Sequence, residues 1–230
     1  MLAIIPARGG SKGIHKKNLV KLHGHTLLYY TIQEAKKSKY ISDIILSTDD
    51  VDIAEEGSKC GLNVNYKRPF ELAQDNTSMV DTLIHCLEWV TLSGLPHKNF
   101  MLLQPTSPLR VFGDIDGAIE KYQSSGKVSL VSVSRMKEHP FECIKLSGKG
   151  EWSYLVPNSQ AHSRRQDYEN NFFFINGAIY ISSIEHVLTQ RTVINPKSLT
   201  FHQMPTERSI DVDTSFDLLV VSALIKNMAT

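Results

Sequence analysis

Met1-Leu2-Ala3-Ile4-Ile5-Pro6-Ala7-Arg8-Gly9-Gly10-Ser11-Lys12-Gly13 decides the fold. Ile4 and Ile5 read as a buried strand, and Pro6 ends it sharply because proline removes a backbone donor. A loop follows with three glycines, Arg8 and Lys12, and with Lys16 and Lys17 close behind. Glycine lets the backbone curl so that its N–H groups meet an anion, and the cations add charge. A solvated surface turn has the same composition. Its place directly after a buried strand favours a phosphate cradle built from Ala7, Arg8, Gly9, Ser11 and Lys17.

Outward from that loop the chain alternates strand and helix signals. Leu27, Leu28, Ile32 and Ala35 are spaced for a helix over 26–37, and residues 44–47 read as the next strand. Thr48-Asp49-Asp50 can cap a helix over 51–59, which Gly61 stops. Residues 64–66 read as a short edge strand, and Asp75-Asn76-Thr77-Ser78 offers caps for a helix running to Trp89. Phe100-Met101-Leu102-Leu103 is apolar throughout, as a strand buried on both faces should be. A helix over 114–124 and a strand over 129–133 continue the rhythm. This is an α/β fold with a mostly parallel sheet, whose strand-to-helix loops share one edge. The rhythm fails over 135–171, then Phe172 to Ile181 returns as a strand, followed by a strand near 199–204. Asp213 or Thr214 caps a last helix through Lys226.

The totals bound the class. With 230 residues, 41% hydrophobic and 21% charged, the chain suits one globular domain, 1–230. Twenty-five Lys and Arg against 24 Asp and Glu give a net charge of +1, which argues against nucleic acid as a partner. Cys60, Cys86 and Cys143 show no pairing spacing, so reduced thiols and a cytoplasmic location are expected. No apolar run reaches a membrane span, and no secretory layout is seen at the N-terminus. The nine histidines have no metal spacing.

Two further constellations carry chemistry. In Ile210-Asp211-Val212-Asp213, an extended backbone points both carboxylates to one side and Ile210 and Val212 to the other. Two hard oxygen donors suit Mg²⁺ beside phosphate oxygens; a helix cap and one solvated acid explain the pair equally well in isolation. Gln104-Pro105-Thr106-Ser107-Pro108-Leu109-Arg110 ends the apolar strand on the same edge. Its prolines stiffen a backbone that would present Gln104, Thr106, Ser107 and Arg110. Arg164, Arg165 and Gln166 could clamp a carboxylate, or form a solvated loop.

These segments together resemble the acylneuraminate cytidylyltransferases, or CMP-sialic acid synthetases, including CMP-legionaminic acid synthetases. The resemblance rests on Ile4 to Gly13 with Lys17-Asn18-Leu19, then Leu46-Ser47-Thr48-Asp49, Arg68-Pro69 through Leu72-Ala73, and Leu103 to Arg110. Asn176-Gly177-Ala178-Ile179-Tyr180 and Ile210 to Thr214 complete it. It implies a Rossmann-like nucleotidyltransferase domain with a small dimerisation excursion, an inserted element at 138–172 that helps close the sugar site of a homodimer. It also implies transfer of CMP from CTP to a nine-carbon 2-keto-3-deoxy sugar acid of the N-acetylneuraminic type, with release of pyrophosphate. Legionaminic or pseudaminic acid is the alternative acceptor, because Thr192-Val193 stands where some sialate-specific members carry an aromatic pair. An inactive nucleotide-binding module is the reading from another class. By resemblance, Arg8, Lys17 and Asp211 are catalytic, and Asn18, Arg68 and Ser78 join the nucleotide site. Gln104, Thr106, Ser107, Arg165, Asn176 and Tyr180 contact the sugar acid, and Asp211 and Asp213 hold Mg²⁺.

Overall fold

The computed structural model describes residues 1–11, 13–156 and 171–228. Its central sheet has six strands: β1 (Leu2–Pro6), β4 (Asp43–Ser47), β5 (Asn99–Leu103), β6 (Ser129–Arg135), β9 (Phe173–Ser183) and β10 (Leu199–Gln203). They lie in the order β10-β6-β9-β5-β1-β4. Two short hairpins stand outside it, β2 (Lys21–Leu22) with β3 (His25–Thr26), and β7 (Ile144–Leu146) with β8 (Trp152–Tyr154). β1 pairs in parallel with β4 and β5, and β10 with β6. β9 runs antiparallel to both its neighbours. Only direction separates this strand from the all-parallel rhythm, and side-chain pattern does not encode direction.

Alternation along β1 explains the layers. Ala3 and Ile5 face α1 (Leu27–Lys37), α2 (Val51–Lys59) and α4 (Phe112–Ser125), packing with Leu28, Ile32, Ile53, Ile115 and Ile119. Leu2 and Ile4 face α3 (Met79–Leu92) and α5 (Ile184–Gln190), packing with Leu83, Leu87, Val90 and Val187. Each buried aliphatic side chain here contributes roughly 1.5–3 kcal/mol. The last helix, α6 (Ser215–Met228), closes a third cluster in which Val212, Val221 and Leu109 meet Leu22 and Leu27.

Local chemistry sets the ends. Asp50 caps α2 by accepting from Ile53 N at 3.0 Å, and Ser78 caps α3 by accepting from Val80 N at 3.0 Å. Thr214, not Asp213, caps α6. Its hydroxyl accepts from Asp217 N at 3.3 Å while Asp217 accepts from Thr214 N at 2.7 Å, a reciprocal capping box. Asp213 is thereby left for other work.

One expected element is absent. Residues 64–66 form no strand: Tyr66 is buried, but the backbone there is tied only by a local bond, Asn65 N to Asn63 O. Burial of its side chains, which gave the strand pattern, is met without ladder pairing.

Candidate active site

A cavity of about 300 Å³ opens at the carboxyl ends of β1 and β5. The chain passes from β1 to β4 through α1 on one face and returns from β4 to β5 through α3 on the other, so the strand order reverses at β1, the kind of switch point where α/β folds place ligands. Its lining joins Arg8, Gly10, Ser11, Gly13, Lys17 and Asn18 from the glycine loop to Arg68, Met79, Gln104, Pro105, Thr106 and Asp213. Five segments far apart in sequence converge there.

The cations are held, not loose. Arg8 Nη2 lies 3.0 Å from Asp75 Oδ1, and Nη1 donates to the Gln74 carbonyl at 3.0 Å. Lys17 Nζ donates to the Val212 carbonyl at 2.9 Å and to Asp213 Oδ1 at 3.0 Å. A β-carbon on Gly13 would come 2.5 Å from the Asp213 carbonyl, so only glycine permits this approach. Gly9 N donates to Asp49 Oδ1 at 3.1 Å, which fixes the start of the loop. The buried Asn18 donates from Nδ2 to the Arg8 carbonyl at 3.0 Å and stiffens its other end.

Arg68 is 4% exposed, and its guanidinium is held by neutral partners. Nε donates to Ser47 Oγ at 3.1 Å and Nη2 to the Ser47 carbonyl at 2.7 Å. Burial lowers the pKa of its guanidinium, while the charge of Asp49 works the other way. It stays a cation at neutral pH because arginine starts so high.

Asp211 and Asp213 point away from the buried Val212, as alternation predicts. They serve two neighbouring hollows. Asp213 lines the first cavity; Asp211 lines an adjoining one of about 370 Å³ with Ser134, Arg135, Met136, Lys137, Phe174 and Asp217. Asp211 as a residue is exposed, yet its carboxyl is crowded by protein, and this pushes its pKa up from the ordinary carboxylate value. The Thr106 hydroxyl and Lys17 oppose the rise, and the charge of Asp213 adds to it. Two mutually repelling carboxylates on an accessible edge fit a hard divalent cation. Among the described residues, no group of three or more His, Cys, Asp or Glu side chains forms a metal cage. A cation held by these two acids would have to complete its coordination from outside the chain.

Several expected contacts lie elsewhere. Ser107 and Arg110 turn inward, 2% and 1% exposed, instead of facing the cavity. Arg110 donates to the Ala178 carbonyl at 2.7 Å and to Thr31 Oγ1 at 3.0 Å. Burial pulls its pKa down to about 10. Asn176 is buried and bonded within the protein, and Ser78 serves as the helix cap. Ala7 is buried, with its N–H on the Ser47 carbonyl, and Gly9 also stands outside the lining. Tyr180 is half-buried; burial and then the nearby charge of Asp211 raise its phenol. Arg165 lies outside the described residues. Met79, Gly10, Gly13 and Pro105 line the cavity although sequence reasoning did not select them. For Met79 the available signal was its place directly after the cap Ser78, at the open end of α3.

The family model described as Cytidylyltransferase matches residues 2–220. N-acylneuraminate cytidylyltransferase of Streptococcus agalactiae serotype III is 35% identical over 222 residues, 96% of this chain and 52% of that protein. This chain thus spans about half the length of such relatives. CMP-N,N'-diacetyllegionaminic acid synthase of Legionella pneumophila is 30% identical over 98% of this chain and 96% of its own. Among solved structures, CMP:2-keto-3-deoxy-manno-octonic acid synthetase complexed with CTP covers 99% of this chain with TM-score 0.71 and 14% identity, a likeness of fold. A fold built around this switch-point cavity and a family match over residues 2–220 lead to one conclusion: the chain belongs to the cytidylyltransferase family.

Proposed function

We propose that the protein transfers the cytidylyl group of CTP to a nine-carbon 2-keto-3-deoxy sugar acid of the N-acetylneuraminic type, releasing pyrophosphate. The observation that carries this reading is the convergence of Arg8, Lys17 and Arg68 with Asp213 on one cavity, with Asp211 beside it. The acceptor's hydroxyl oxygen bonds to the α-phosphorus, the bond to the pyrophosphate oxygen breaks, and the hydroxyl proton passes to water. Negative charge grows on the departing pyrophosphate, so cations fixed beforehand stabilise the transition state more than the ground state.

Arg8 and Lys17 take the phosphates, exchanging Asp75 and Asp213 for phosphate oxygens, and the amides of Gly10, Ser11 and Gly13 close around them. Asn18 and Arg68 form the nucleoside wall, and Gln104 and Thr106 the acceptor wall. Asp211 and Asp213 would hold Mg²⁺, which when bound supplies Lewis acidity to the α-phosphate and the attacking oxygen. The family relationship and the residues retained at these positions support catalysis over an inactive binding module.

The same reading includes a homodimer. Ile144, Leu146, Trp152 and Phe174 are 51%, 70%, 59% and 59% exposed, an apolar surface on the inserted element and the strand that follows it. Three free cysteines support a reducing, cytoplasmic setting, and among the described residues no helix is long and apolar enough to cross a membrane. Legionaminic acid is a second acceptor worth equal trial, since the Legionella enzyme matches over 96% of its length.

Pyrophosphate release with CTP, Mg²⁺ and neuraminic, legionaminic, pseudaminic and octulosonic acids tests the proposal. Turnover is expected with at least one of the first three. Turnover with none of them overturns it.

A further inference from the structure

Asn176 is 3% exposed and uses both ends of its amide inside the protein. Oδ1 accepts from Ser132 Oγ at 2.5 Å and from Ala178 N at 3.2 Å. Nδ2 donates to Ser209 Oγ at 2.9 Å and meets Met204 Sδ at 3.6 Å. One side chain therefore ties together β6, β9 and the segment that leads to Asp211.

The pairing of β6 with β9 breaks at this point. Val131 faces Tyr180, but Val133 already faces Ile175, so the residues between Ile175 and Tyr180 bulge out of the ladder. Gly177 sits at φ +74°, which a side chain would strain. The bulge re-aims two carbonyls. Gly177 O accepts from Gln104 Nε2 at 3.2 Å, and Ala178 O accepts from Arg110, whose Nη1 also reaches the Gln104 carbonyl at 3.3 Å.

A carbonyl can only accept, so this contact fixes which way the Gln104 amide points. One N–H of Nε2 is spent on Gly177, and Oε1 is the acceptor end left for the cavity that Gln104 lines. The ring closes on the other side: Ser209 is two residues before Asp211, and Val212 N donates to the Thr106 carbonyl at 2.8 Å. Gln104, Gly177, Asn176, Ser209, Val212 and Thr106 thus form one hydrogen-bonded circuit at the junction of the two hollows.

We propose that Asn176 is a positioning residue that holds the Gly177 bulge so that Gln104 presents a carbonyl acceptor to a hydroxyl or N–H group of the acceptor substrate. This rests on the reading of Gln104 as part of the acceptor wall. A substrate lacking a donor at that point would leave Oε1 desolvated and unpaired, which disfavours it.

Two measurements test it. In protein labelled with ¹⁵N at glutamine, the Gln104 side-chain amide, assigned by its loss in Gln104→Glu, is protected in the wild type. In Asn176→Ala it moves toward the position of a solvated glutamine and exchanges on the order of tenfold faster. Asn176→Asp, which keeps the Oδ1 acceptor, retains the protected signal. An unchanged Gln104 signal in Asn176→Ala overturns the proposal, as does its loss in Asn176→Asp; Asn176→Ser replaces the alanine variant if that one does not fold.

Kinetically, Asn176→Ala raises the KM for the sugar acid on the order of tenfold and leaves the KM for CTP within about twofold. Added to Gln104→Ala it causes no further loss, because both act through one group. Equal rises in both KM values, or losses that multiply, overturn it. If the wild type turns over no sugar acid, the functional reading fails, and the amide signal still decides the role of Asn176.

Discussion

Lys17 and Asp213 form an ion pair at 3.0 Å across 196 positions of sequence, joining the glycine loop to the entrance of α6. The pair sits on the wall of the cavity and fixes the position of Lys17 there. It is also partly solvated, with 71% of the Asp213 side chain exposed.

Lys17→Met should therefore separate catalysis from stability. Losing one preorganised cation lowers turnover on the order of a hundredfold. Losing an exposed ion pair costs less than about 1 kcal/mol of stability. Turnover assays and thermal melts check the two together, and near wild-type turnover would remove Lys17 from the mechanism.

Arg208 and Asp114 behave in the opposite way. Arg208 donates from Nη2 at 2.7 Å and from Nε at 2.9 Å to a carboxylate whose side chain is 4% exposed. Arg208→Ala leaves that charge buried with the Val111 N–H still bonded to it, and should cost about 3 kcal/mol. Urea unfolding measures it; a variant as stable as the wild type would refute the assignment.

The cysteines should differ in reactivity. Burial raises the Cys86 thiol to about 12 and the Cys60 thiol by a smaller amount. An acid whose pKa is raised keeps its proton to higher pH, so at pH 8 neither offers much thiolate in the folded protein. Cys143 is more exposed. Native-state labelling should show one fast thiol and two slow ones, with all three fast in denaturant. Rapid labelling of Cys86 in the native protein would contradict its burial.

Trp152→Glu places a charge on the apolar face of the β7–β8 hairpin, where Leu146 is also exposed. Light scattering on the wild type should give twice the chain mass, and on the variant the mass of one chain. A wild-type monomer, or a variant that stays dimeric, would discard this face as the interface.

What the sequence revealed was what is local. Pro6 and the glycines after it, the prolines at 105 and 108, and the caps Asp50, Ser78 and Thr214 act within a few residues of themselves. The alternation that buries Val212 between two acids is equally short-ranged. The direction of β9 and the inward turn of Arg110 depend on partners far along the chain, Leu102 and Val131 for the one, Ala178 and Thr31 for the other. Asn176 is expected to contact the sugar acid by resemblance alone, from its place in Asn176-Gly177-Ala178-Ile179-Tyr180. Its bonds to Ser132 and Ser209 exist only once three segments have met. Residues 64–66 misled for the same reason, since an apolar alternation records burial and not pairing.

Running antiparallel, β9 begins on the edge of the sheet where its two neighbours, β5 and β6, end. Its first residues are accordingly brought to the edge that carries Asp211, and Phe174 lines the same hollow as Asp211. One reversed strand thus divides the labour of the molecule. On the function proposed, the residues nearest Asp211 could change toward a new acceptor while the loop after β1, anchored elsewhere, kept the same donor.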